Sequence, residues 1–108
     1  MSKKLDPIKP DEVLLEEFLI PIGISQNQLA NDINVPANRI NQIINGKREI
    51  STDTALRFGR YFGMEPEFWL FLQMRYNMKT TMLKAGEIIL REVKIHIKSS
   101  EEQNLATV

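Results

Sequence analysis

Four carboxamides crowd one short stretch of this chain: Asn38, Asn41, Gln42 and Asn45, followed at once by Lys47 and Arg48. With about 100° of rotation per helical residue and Asn38 at zero, Asn41, Gln42 and Asn45 fall at roughly −60°, +40° and −20°. On the same wheel Ile40, Ile43 and Ile44 fall at roughly 200°, 140° and 240°, on the opposite side. One face is therefore apolar and the other is amide, with no acid on it. Asn and Gln can donate and accept at once, the pattern that pairs with adenine N6 and N7 in a DNA major groove. Arg39 lies at the flank, aimed at phosphate or a neighbouring base. The competing view is a plain solvated face. Such faces usually carry Glu and Lys, however, and asparagine is a poor helix former.

Other chemistry is scarce. There is no cysteine, which removes disulfides, thiolate metal sites and thiol nucleophiles. One histidine, His96, excludes multi-histidine zinc sites and argues against a Ser/His constellation; without a partner ligand nearby it reads as an ordinary surface or strand residue. The pairs Glu16–Glu17 and Glu101–Glu102 read as solvated charge rather than catalytic carboxylates. No enzyme, cofactor, metal or small-molecule substrate is expected.

The elements that position the amide face follow from local signals. A first helix is expected from Asp11 to about Ile20, with Leu14, Leu15, Phe18 and Leu19 inward and Pro21 and Gly23 ending it. Ser25-Gln26-Asn27-Gln28 forms a capping box, with Ile24 and Leu29 as its hydrophobic staple. That second helix runs to about Ile33, and Asn34 suits a left-handed turn. A third helix opens at Pro36, carries the amide face and stops at Gly46. A fourth spans Ser51 to about Gly63, and a fifth runs from Pro66 past Tyr76. Met82 to Leu90 reads as helix, whereas residues 93–98 alternate with period two and fit a strand. The last ten residues are polar and expected to fray.

The tight turn between the second and third helices gives a helix–turn–helix layout. Ser25 and Gln26, at the start of the second helix, are placed with Arg39, Asn45, Lys47 and Arg48 to hold phosphate, while Asn38, Asn41 and Gln42 read bases. Net charge is zero, from 14 basic and 14 acidic residues. Residues 37–48 nevertheless contain only basic charge, and contacts are made by patches rather than totals.

Ser25-Gln26-Asn27-Gln28-Leu29-Ala30 followed by Ile43-Ile44-Asn45-Gly46-Lys47-Arg48 resembles the Cro/CI (XRE) helix–turn–helix family. Pro10-Asp11-Glu12-Val13-Leu14-Leu15-Glu16-Glu17-Phe18-Leu19 is similar to the family opening P-G-E-x-L-x-E-E-F-L. Thr54 to Phe58, Phe62-Gly63 and Pro66 to Gln73 resemble the segment marking HigA-type antitoxins, also called virulence-associated protein I. The likeness covers about residues 8–78. It departs at Asp11, where glycine is usual, and at Asn77, where aspartate is common.

The resemblance implies an all-α, five-helix, lambda-repressor-like domain over 1–78, with a C-terminal extension over 79–108 that is helical and could end in a short strand. It also implies an antitoxin that represses its own operon and neutralises a RelE-like mRNA endonuclease. A free-standing regulator without a toxin, and an interaction module that no longer reads DNA, are the alternatives.

The fifth helix is apolar almost all round, so Phe68, Trp69, Phe71, Leu72 and Met74 are assigned to a homodimer interface. The alternative is a central helix wrapped by the C-terminal tail of its own chain. Met74, Met78 and Met82 would share one face of it. A two-fold dimer places reading helices about 34 Å apart and requires a palindromic operator. For a toxin, the two candidate surfaces are residues 93–98, as an added strand, and the acidic face Glu12, Glu16 and Glu17. No run approaches the roughly 18 apolar residues of a membrane span, and no leader follows Met1, so the chain is expected in the cytoplasm.

Overall fold

The computed structural model describes residues 7–97, and these fold into five helices with no strand among them. Helix α1 covers residues 10–22 in three consecutive stretches: Pro10–Glu12, a wider π-helical section Val13–Leu19, and Ile20–Ile22. Pro21 was expected to end this helix and instead lies inside it. A proline lacks the N–H of the ladder and its ring crowds the carbonyl of the preceding turn. The π section widens that turn, with Ile20 N bonding Leu15 O five residues back. Gly23, at φ 84°, makes the stop.

Helix α2 (Gln26–Asp32) starts where Ser25 Oγ accepts from Gln28 N at 3.0 Å. The reciprocal half of the capping box is not made, because Gln28 Nε2 donates to Asp32 Oδ1 at 2.8 Å. Asn34 takes the left-handed conformation at φ 59°, and Val35 N bonds Ala30 O across the turn. Helix α3 (Ala37–Ile44) follows with Pro36 as its N-cap. A complete Schellman motif closes it: Gly46 N bonds Ile43 O at 3.0 Å and Lys47 N bonds Gln42 O at 2.8 Å, with Gly46 at φ 72°. Helix α4 (Thr52–Phe62) is capped by Ser51, whose Oγ accepts from Thr54 N.

Helix α5 runs unbroken for 26 residues, Glu67–Glu92, about 39 Å at 1.5 Å per residue. The boundary expected at 78 thus falls inside a continuous helix. Packing, rather than a break in the chain, separates its halves. The first half buries Trp69 against the domain; beyond Tyr76 the helix exposes Met78, Met82, Leu83, Ile88, Ile89 and Leu90. After Glu92, Val93 turns to extended backbone and residues 93–97 are exposed without regular structure, so the strand expected over 93–98 does not form among the described residues; Lys98 and the polar end lie outside them. An isolated alternating segment has no neighbouring ladder to satisfy its backbone, and this one finds none among the described residues.

The core is made by Val13, Leu14 and Leu19 of α1, Leu29 and Ala30 of α2, Ile33, Ile40 and Ile43 around α3, and Ile50, Ala55, Phe58 and Trp69. Trp69 is 0% exposed. Its ring lies 4.9 Å from Phe18, 5.1 Å from Phe58 and 5.2 Å from Phe68, centroid to centroid. The assignment of Trp69 to a subunit interface is therefore corrected. The helix looked apolar on every side because one side fills this domain's own core.

Candidate nucleic-acid interface

Helix α3 carries the polar face as its periodicity requires. Ile40 and Ile43 are buried and Ile44 packs on the core, while Asn38 and Asn45 are exposed and Asn41 and Gln42 are half-exposed. Lys47 and Arg48 are exposed on the loop that leaves the Schellman turn. The carboxamides and the two cations thus lie along one open surface, with its apolar reverse fixed to α2 and the core.

Some expected contacts are already engaged within the protein. Ser25 spends an acceptor lone pair on its cap, which leaves its O–H to donate outward. Gln26 is half-buried at the first position of α2. Arg39 is not a loose flanking cation: its Nη1 donates to Asp53 Oδ2 at 2.9 Å, and Arg57 Nε donates to the same oxygen at 2.9 Å. Arg57 also donates through Nη1 to Ile33 O at 2.8 Å, satisfying a carbonyl at the end of α2. Two guanidiniums share one carboxylate, so the cluster keeps a net positive charge beside the reading helix. The Asp53 carboxyl is held below its ordinary value, chiefly by the Arg57 hydrogen bond; desolvation opposes this and Arg39 reinforces it.

A second frame braces α2 against α4. Tyr61 donates its O–H to Asp32 Oδ2 at 2.7 Å, and Asp32 also takes the Gln28 amide. That hydrogen bond raises the Tyr61 hydroxyl above its ordinary value of 10.0. On the other side of α3, Ile50 N donates to Gln73 Oε1 at 3.0 Å, tying the loop after the reading helix to α5. Sequence reading missed Asp53, Arg57, Asp32, Tyr61 and Gln73. The four-residue spacings of Asp53 with Arg57, Gln28 with Asp32 and Gln73 with Asn77 were the available signals.

Of the residues assigned to a subunit contact, Phe71 is 58% exposed and Met74 49%, and Phe68 is exposed at one edge. Leu72 packs partly against the core. Among the described residues no group of acids or histidines could hold a metal, and no helix is long and apolar enough to cross a membrane.

Comparison with known proteins agrees with this architecture. The helix-turn-helix family profile matches residues 15–69. Virulence-associated protein I of Dichelobacter nodosus is 43% identical over 78 residues, covering 72% of each chain. An addiction module antidote protein of a HigA family from Coxiella burnetii superposes with a TM-score of 0.78 at 46% identity, covering 83% of this chain and 98% of that one. The Pseudomonas aeruginosa antitoxin HigA, solved with the higBA promoter, superposes with a TM-score of 0.81 at 38% identity, covering 85% of this chain and 100% of that one. These relatives are a virulence-associated protein, an addiction module antidote protein and an antitoxin. With the cap at Ser25, the turn at Asn34 and the amide face of α3 all in register, this chain belongs to the Cro/CI-type helix–turn–helix family, in its HigA and virulence-associated protein I branch.

Proposed function

We propose that this chain is the DNA-binding antitoxin of a type II pair, repressing its own operon and neutralising a RelE-like mRNA endonuclease. The observation that carries the reading is the open face of α3: carboxamides without an acid, flanked by Lys47 and Arg48, on the fold that a promoter-bound HigA antitoxin shares. Asn38, Asn41 and Gln42 read bases in the major groove. Asn45, Lys47, Arg48, Ser25 and Gln26 position the backbone, and Arg39 contributes through the positive cluster that it forms with Asp53 and Arg57.

The active species is a homodimer. Phe71 and Met74 continue into Met78, Met82 and Leu83 as an exposed apolar surface along α5, the kind of contiguous patch that marks an interaction site. A two-fold axis through that helix brings two copies of α3 to successive turns of one DNA face, about 34 Å apart, on a palindromic operator. The toxin reading is supported by family membership alone.

The deciding experiment is a titration of the purified protein against DNA upstream of its own reading frame, at fixed salt, with scrambled duplex as competitor. A two-fold symmetric footprint is expected. Binding no tighter than to scrambled DNA refutes the repressor. Co-expression with the protein encoded by the adjacent reading frame tests the antitoxin half: growth arrest by that protein alone, relieved by this chain through a co-purifying complex, is expected. Two proteins that neither associate nor oppose each other refute it.

A further inference from the structure

The side chain of Gln42 has a partner of its own. Arg48 Nε donates to Gln42 Oε1 at 2.9 Å, back across the turn that ends the reading helix. The turn makes this contact possible. Lys47 N bonds the main-chain oxygen of the same Gln42 at 2.8 Å, and Gly46, at φ 72°, folds the chain back along α3. Arg48 is delivered beside Gln42 by backbone geometry before its side chain makes any bond.

The contact sorts the two ends of the carboxamide. Its oxygen is turned to Arg48, and its NH2 group has no hydrogen-bond partner among the described residues. Arg48 spends its Nε–H on the pair and retains its Nη–H groups, which a guanidinium can only donate. Two neighbouring side chains thus offer donors, while one lone pair of the acceptor between them is already taken by Arg48. In the major groove adenine shows one acceptor and one donor, N7 and N6–H2, whereas guanine shows two acceptors, N7 and O6. A lone glutamine suits adenine. A pair led by its donors suits guanine.

We propose that Gln42 and Arg48 act as one unit that reads a guanine in each half of the operator, with Arg48 specifying a base rather than merely neutralising a phosphate. This rests on the DNA-binding reading above. It differs from that reading in what it requires of Arg48: a guanidinium, and not just a positive charge.

Arg48→Lys separates the two requirements, because lysine keeps the charge but has no Nε–H beside planar Nη groups to hold the pair. Both residues lie at the surface, so circular dichroism is expected to show the variant folded like the wild type. Affinities of wild type, Arg48→Lys, Gln42→Ala and the double variant would be measured on the operator and on scrambled duplex. They would also be measured on operators with one symmetric guanine pair replaced by 7-deazaguanine, which lacks the N7 acceptor. Wild type is expected to lose about tenfold at one guanine position, within the range for a good base contact. Arg48→Lys is expected to lose about as much on the natural operator, nothing further at that guanine, and to keep the wild-type salt slope. The double variant is expected to bind no worse than either single one. An Arg48→Lys protein as selective as wild type overturns the proposal while leaving the repressor intact. So does a wild type indifferent to every guanine replacement. A wild type that prefers no duplex at all overturns both.

Discussion

Truncating Trp69 to alanine is expected to unfold the domain more easily without weakening subunit association. The ring is fully buried, and Phe18, Phe58 and Phe68 all lie within 5.2 Å of it, centroid to centroid. Removing a buried tryptophan generally costs about 3–5 kcal/mol. One feature lowers the figure here: the indole Nε1–H is buried without an acceptor among the described residues. Such a group carries a penalty of about 1–3 kcal/mol that the alanine no longer bears. The balance is a loss of about 2 kcal/mol, a large part of the roughly 5–15 kcal/mol that holds a domain together. Urea unfolding followed by circular dichroism, at low and high protein concentration, reads it directly. With a slope of about 1–3 kcal/mol per molar urea, the midpoint should fall by about 0.7–2 M, and equally at both concentrations. Phe71→Ala, on the exposed side of the same helix, should lower the midpoint mainly at low concentration. A Trp69→Ala deficit that vanishes at high concentration would return Trp69 to the subunit interface and refute its place in the core.

Gly46→Ala should destabilise by about 1 kcal/mol, because alanine resists the left-handed backbone at φ 72° although Asp11 Oδ2, 3.6 Å from the added methyl, leaves room for it. The melting temperature should fall by about 4–8 °C, and an unchanged one would contradict the Schellman account. Asp53 has a carboxyl held below 3.8 by Arg57 and Arg39, so its contribution is present above 3.8 and is lost as pH falls through the lowered folded value. Acid melting curves should therefore show wild type losing stability below pH 3.8 more steeply than Asp53→Asn; parallel curves would show the cluster to be without effect. Lys47→Ala should weaken operator and scrambled DNA alike and reduce the salt slope by about 1.8, one phosphate for each subunit of the dimer. A loss confined to the operator would make Lys47 a base contact.

The reading helix was legible because its signals act within a turn or two of the chain. The Ser25 cap, the left-handed Asn34, the stop at Gly46 and the split between isoleucines and carboxamides each involve residues a few positions apart, and each occurs where the sequence places it. Local rules also misjudged α1, where a π-helical stretch lets Pro21 remain inside the helix. The half-made capping box at Gln28 is a similar case, since two local partners competed and Asp32 won.

Sequence alone thus determined the helices, their order and the chemical character of the face that α3 presents, because rotation per residue and end-capping are properties of short segments. Tertiary structure decided which apolar side of α5 is core and which is left exposed. It also set Arg39 on Asp53, fourteen positions away, and Arg57 on the carbonyl of Ile33, twenty-four away. A guanidinium accepts any carboxylate or carbonyl within reach, and an apolar stripe any apolar surface. Only the folded path of the chain determines which of them arrive within 3 Å.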